Sequence, residues 1–169
     1  MAYQMVEDFI GFPALSDVST TQKVPLGTVA RIMDNSEAAP QHAGEAIYLK
    51  SSGASIVRGS LVDYDTHLAT AVLSPATGGT GAVAVSFNTV PSGSFSWFQI
   101  QGRAAVAAPN AMVVGAEVWS LAATPGSVDD AVVAGEQILN AKVSTTTGTP
   151  AAGLAYIEID RPFHQGGIT

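Results

Sequence analysis

The chain contains no cysteine. That excludes a disulfide framework, a thiolate metal site and a cysteine nucleophile, and it fits a reducing compartment. Charge is scarce. Asp, Glu, Lys and Arg make up 12% of the 169 residues, against roughly a quarter in an ordinary soluble domain. The formal net charge is −7 and the basic residues form no cluster. A phosphate backbone therefore finds no electrostatic footprint, and no nucleic-acid partner is expected. Long apolar runs are missing as well, although 47% of the chain is hydrophobic. Nothing approaches the ~18 uninterrupted apolar residues of a spanning helix, so no membrane partner is expected. The N-terminal stretch MAYQMVEDFIGFPALSDV is not basic and has no apolar core of signal-peptide length, which argues against export by that route.

Recognisable catalytic motifs are also absent. There is no G-x-S-x-G and hence no nucleophile elbow. The glycine-rich TGGTGAVAV lacks the spacing of either phosphate-binding loop, and it runs into an alternating strand instead of a helix. His42, His67 and His164 stand at no metal-ligand spacing, so no metal and no cofactor are expected. Asp63 and Asp65, in VDYDTH, point to one strand face. Paired carboxylates can act as acid and base when burial raises one of them, but aspartates at a hairpin end are ordinarily solvated. Asp129-Asp130 follows Pro125-Gly126 and reads as a turn.

What is present is a succession of short alternating runs between turn residues. GTVARIM, EAIYLK, GSLVDYD, THLATAVL, GAVAVSF, SFSWFQIQ, RAAVAA, GAEVWSLA, EQILNAKVST and GLAYIEID read as strands. SSG, TGGTG, PSGS, PNA, TPGSVDD and TTTGTP reverse the chain between them. SVDDAVVAGEQIL alone has the look of a helical turn, capped by Ser127 or Asp129. The pattern predicts an all-β fold, a β-sandwich or a barrel-like domain, with helix under a fifth of the residues. The predicted core is Val29, Ile47, Leu49, Leu61, Val83, Val85, Phe98, Ile100, Val118 and Ile157. Residues 1–26 show no sustained period and read as an extended N-terminal arm before a single domain at 27–169. Tyr3, Phe9, Phe12 and Leu15 are its large apolar groups. The arm packs on its own domain or docks on a neighbour.

SFSWFQIQ poses a separate problem. Alternation places Phe95, Trp97, Gln99 and Gln101 on one face and Ser96, Phe98 and Ile100 on the other. Both faces are apolar. Phe98 and Ile100 make the better core set. Phe95 and Trp97, with Gln99 and Gln101, make the better interface set, aromatic anchors beside amide donors and acceptors. The competing reading has both faces internal, as in a strand between two layers.

VPLGTVARIMD, GEAIYLKSSGASIVRGSLVDYD and WFQIQGRAAV resemble, in that order, the head decoration or cement proteins encoded beside the major capsid gene of tailed bacteriophages. PGSVDDAVVAG and AGLAYIEIDRP are similar to the family as well. The resemblance implies a β-rich, non-catalytic protein on the exterior of the virion, made in the host cytoplasm. Its partner would be the major capsid protein, and it would assemble as a homotrimer near three-fold positions. Tyr3, Phe9, Phe12, Leu15, Phe95, Trp97 and Gln99 are then the expected shell or subunit contacts. Two other classes compete: a carbohydrate-binding or adhesion module with Trp119 and Tyr64 as a sugar platform, and a hydrolase using Asp63 and Asp65.

Overall fold

A computed structural model of the chain describes residues 3–6, 11–34 and 42–166. They form eleven strands and no helix. In chain order these are β1 (Tyr3–Met5), β2 (Val29–Asp34), β3 (His42–Ser51), β4 (Leu61–Asp65), β5 (Thr70–Leu73), β6 (Ala82–Ser86), β7 (Phe95–Ala107), β8 (Glu117–Ser120), β9 (Val128–Asp129), β10 (Gln137–Val143) and β11 (Leu154–His164). The all-β expectation holds. SVDDAVVAGEQIL is not helical. Val128 and Asp129 pair with Ser120 and Trp119 of β8, and a turn follows. Gly135, at a φ of 80°, turns the chain before β10 begins at Gln137.

The strands close into two joined rings. In the first, β3 pairs with β5 in parallel, β5 with β4, β4 with β6, β6 with β7, and β7 back with β3. Ile47, Leu49, Val62, Ala71, Ala84, Phe98 and Ile100 fill it. In the second, β6 also pairs with β11, β11 with β10, β10 with β8, and β8 with β9. Gly126, just before β9, completes it: Leu61 N donates to Gly126 O (2.8 Å) and Gly126 N to Ser74 O (2.9 Å). Leu61, Val83, Val85, Ala104, Val106, Val118, Ile138 and Ile157 fill this second ring. β4 and β6 form the wall between the two cores, alternate residues pointing each way. Closure leaves β1 and β9 as sheet edges, three and two residues long. Short edges template little further pairing, so hiding edges supplies no motive for a trimer.

Nine of the ten predicted core residues are buried. Val29 is the exception, at 41% exposure. Inward on β2 are Ala30 and Ile32, and the period of two then turns Val29 to solvent.

A third cluster lies outside the first ring. Leu15, Val24, Ala30, Ile32, Ala46, Tyr48 and Trp97 are buried together, with Met5, Phe12, Leu26, Phe87 and Phe95 against them. It resolves the two-faced strand. Phe98 and Ile100 face into the first ring while Trp97, on the opposite face, lies under residues 11–26 of the same chain. The boundary at residue 26 is thus not a packing boundary, and the segment is not extended throughout, since Asp17 N closes a turn on Ala14 O (2.9 Å). RAAVAA is likewise not a separate element. β7 runs unbroken through Gly102, whose φ of 93° suits glycine.

β3 and β7 touch most closely at Gly44 and Gly102. A Cβ on Gly102 would come 2.5 Å from the Ala43 carbonyl oxygen, and one on Gly44 would run into that of Gln101. The register shift between Glu45 and Ala46 lies at this crossing. Gly44→Ala is therefore predicted to cost ~1–3 kcal/mol through overpacking. Ile100→Ala, at a fully buried site, should cost ~2–5 kcal/mol through the cavity it leaves. Urea denaturation checks both, and an unchanged midpoint for either contradicts this packing.

Candidate functional site

The residues singled out from sequence lie largely inside the chain. Trp97 is fully buried, Gln99 is 2% exposed and Leu15 6%. Trp97 Nε1 donates to Pro13 O (3.1 Å), its ring packs edge-on to Tyr48 with centroids 5.2 Å apart, and Phe12 lies tilted at 5.9 Å. Gln99 Nε2 donates to the carbonyls of Gln101 and Arg103, both at 3.1 Å. Phe95 is half-buried and stacks with Tyr48. The expected contact surface at Leu15, Trp97 and Gln99 is therefore corrected: Leu15 and Trp97 are buried in the third core cluster with the chain's own N-terminal segment, and Gln99 is buried against carbonyls of its own strand. Tyr3 is placed by its backbone on β1, opposite Asp34. Phe9 lies outside the described residues.

The two aspartates of VDYDTH do not act together. Asp65 sits in an exposed turn and accepts from the backbone N–H groups of Leu68 (3.0 Å) and His67 (2.7 Å). Those donors hold its carboxyl below the usual carboxylate range. Asp63 is buried and meets His164 instead, with Oδ1 2.8 Å from Nε2. Ser74 Oγ approaches the same Nε2 at 3.0 Å. A serine–histidine–aspartate relay needs the hydroxyl on one ring nitrogen and the carboxylate on the other. Here both crowd one nitrogen, while Nδ1 is buried without a hydrogen-bond partner. The tautomer that fits carries its proton on Nε2 and donates to Asp63. Gly79 packs against the ring so tightly that no Cβ fits there. The group is a polar lock on the loop between β5 and β6. Among the described residues no group of three His, Asp or Glu could hold a metal ion. Sequence reasoning missed Ser74 and His164 because they stand 90 and 101 residues from their partners.

A concavity of about 1050 Å³ crosses the open face of β2, β3, β7, β11, β10 and β8. Strand register lines up two rows of polar residues on it: Arg31–Glu45–Gln101–Asp160 and Arg103–Glu158–Lys142–Glu117. Lys142 pairs with Glu117 at 2.6 Å, Arg161 pairs with Glu45, and Gln101 Nε2 donates to Asp160 (3.2 Å). Arg103 stacks on the Tyr156 ring at 3.9 Å. The acids are matched mostly by neighbours, and Glu45, Glu117, Glu158 and Asp160 outnumber Arg31 and Lys142 along the lining. Such a face does not cradle phosphate. Trp119 and Tyr64 are both half-buried, on β8 and β4, and neither lines this concavity.

One surface does present apolar groups outward. Val113, Val114 and Val132 are 66%, 57% and 78% exposed, on the loops before β8 and after β9. The loops are bound to each other. Val113 N donates to Asp130 Oδ2 (2.7 Å), Asn110 Nδ2 to Asp129 Oδ2 (2.6 Å) and Asp130 N to Asp129 Oδ1 (2.8 Å). Thr147 Oγ1 donates to Asn110 O from a third loop. Met112 anchors the tip from below, 2% exposed in the second ring's core. Ala111, Ala131 and Ala134 are exposed beside the valines, and neither 104–116 nor 131–135 contains a charged residue. The carboxylates of Asp129 and Asp130 brace the two loops, so the tip is held in place and apolar, with negative charge at its base. The other exposed large apolar residues, Val6, Val29, Val57, Leu68, Val72 and Phe163, are spread over the rest of the fold. No protein-family model matches the chain, and no curated protein matches it.

The brace has a pH signature. Burial alone would push the Asp129 carboxyl up, but the Asn110 amide and the N–H groups of Asp130 and Ala131 outweigh it and hold it below the usual range. A folded value below the unfolded one adds stability above the unfolded value of ~3.9 and loses it as pH falls through the folded value. Asp129→Asn should therefore lose less stability than wild type between about pH 4 and the folded value below it, followed by urea unfolding at stepped pH. Parallel profiles would contradict the assignment.

Proposed function

We propose that the protein is a non-catalytic decoration, or cement, protein of a tailed-bacteriophage head. It binds the outside of the assembled shell through the major capsid protein and acts as a trimer. The class comes from the sequence resemblance described above. The observation that carries a binding role is the braced valine tip. Apolar side chains held rigidly outward lose little freedom when a partner covers them, so most of their burial appears as affinity. Three valines are a small surface beside the ~800 Å² per partner of a stable pairwise interface. A contact of that size is weak singly and effective when many copies bind one particle and bridge its subunits. Binding that exists only on the assembled shell shifts the balance toward intact particles. The net charge of −7 suits the exterior better than the packaged nucleic acid. Against a hydrolase using both aspartates, Asp63 and Asp65 have separate partners, and Trp119 and Tyr64 are each half-buried.

The test uses shells prepared without the protein. Added back, the wild type should bind in fixed stoichiometry and raise the temperature of DNA release. A Val113→Asp, Val132→Asp double variant places charge on an exposed tip, where the fold tolerates it. It should keep the wild-type urea midpoint and bind at least about tenfold more weakly, a loss near 1.4 kcal/mol. Equal binding by the variant would remove the tip from the interface. No binding by the wild type would remove the cement reading.

A further inference from the structure

The N-terminal segment docks in a slot built to hold backbone. Three donors from the β6–β7 hairpin each take one carbonyl: Trp97 Nε1 takes Pro13 O (3.1 Å), Asn88 Nδ2 takes Leu15 O (2.7 Å) and Ser96 Oγ takes Asp17 O (2.9 Å). Ser19 and Phe95 then exchange both backbone bonds, at 3.1 and 2.8 Å. Leu15 and Phe12 cover Trp97 and Tyr48. Ahead of this plug, β1 adds a short edge to β2. An empty slot would strand three side-chain donors and uncover a tryptophan and a tyrosine, so a folded copy needs an occupant.

The link from the plug to the rest of the chain is of a different character. Thr20, Thr21, Gln22 and Lys23 are exposed. The folded-back path is fixed there mainly by a Thr21 N to Ser19 Oγ bond (3.1 Å) and a surface Lys23–Asp17 ion pair (2.9 Å), contacts of little worth in water. Every bond between plug and slot can be made as well by the plug of another copy. We infer that residues 12–19 are an exchangeable element, and that a second copy of this chain is the alternative occupant of the slot. Only the linker contacts differ between the two arrangements, so concentration decides between them. Reciprocal exchange gives a dimer and cyclic exchange closes a ring of three. The inference stands on the slot and the linker, and holds whether or not the protein decorates a shell.

The experiment mixes isotope-labelled and unlabelled full-length chains, unfolds and refolds them together at high concentration, and looks for filtered nuclear Overhauser contacts between Trp97 of a labelled chain and Phe12 or Leu15 of an unlabelled one. Such contacts are expected, with a dimer or trimer by light scattering. A second variant lacks Thr20 and Thr21, which shortens the folded-back path. It should move wholly to the exchanged oligomer while keeping the strand signature in circular dichroism. Contacts within single chains only, in a monomer at every concentration, overturn the inference, as does a folded monomeric deletion variant.

Discussion

Strand β7 must be covered on both faces, and the rest of the molecule follows from that requirement. Its thirteen residues place Phe98 and Ile100 in the first ring, Ala104 and Val106 in the second, and Trp97 under the N-terminal segment. A strand with one wet face could sit in a simple antiparallel sheet. Besides β6, its neighbour in the first ring, this one needs three further partners. β3 crosses it in the first ring, β11 pairs with its second half, and residues 11–26 close the remaining side. The glycine pair at 44 and 102 lets β3 and β7 approach closely enough for that sharing.

The burial pattern separates structural polarity from surface polarity. Asp63, His164 and Ser74 are sealed between loop and wall, and their hydrogen bonds lock the loop between β5 and β6. Asp129 and Asp130 turn their carboxylates inward to brace two loops. On the concave face Lys142 pairs with Glu117 and Arg161 with Glu45 across strands. Val113, Val114 and Val132 face water together on braced loops, an arrangement suited to contact. The inferred exchange of the N-terminal plug would add a second means of association, in which copies of the chain complete one another's third core.

The alternation of apolar and polar residues made the all-β class legible, and all but one of the core positions it named are buried. Val83 and Val85, or Ile47 and Leu49, announce their faces because the strand period is two. Val29 failed because alternation says which residues share a face and not which face is covered. The division of SFSWFQIQ was legible as a pair of faces. That the second face meets the chain's own residues 11–26 was not, because Trp97 Nε1 and Pro13 O stand 84 residues apart. For the same reason the Asp63–His164 contact has no local signal. The valine tip was hidden differently. Val113, Val114 and Val132 look like core residues in sequence, and only the bracing by Asp129 and Asp130, read as an ordinary turn, turns them outward.

Hydrogen exchange on the free protein and on the protein bound to shells tests the central claim, that β7 is a sealed interior strand and the valine tip the outward contact. The account predicts that β7 amides from Phe98 to Val106 are among the slowest to exchange in the free protein and stay unchanged on binding, while amides of 111–114 and 130–133 slow when shells are added. Rapid exchange along β7, or new protection at Phe95–Gln99 and none at the tip, would contradict it.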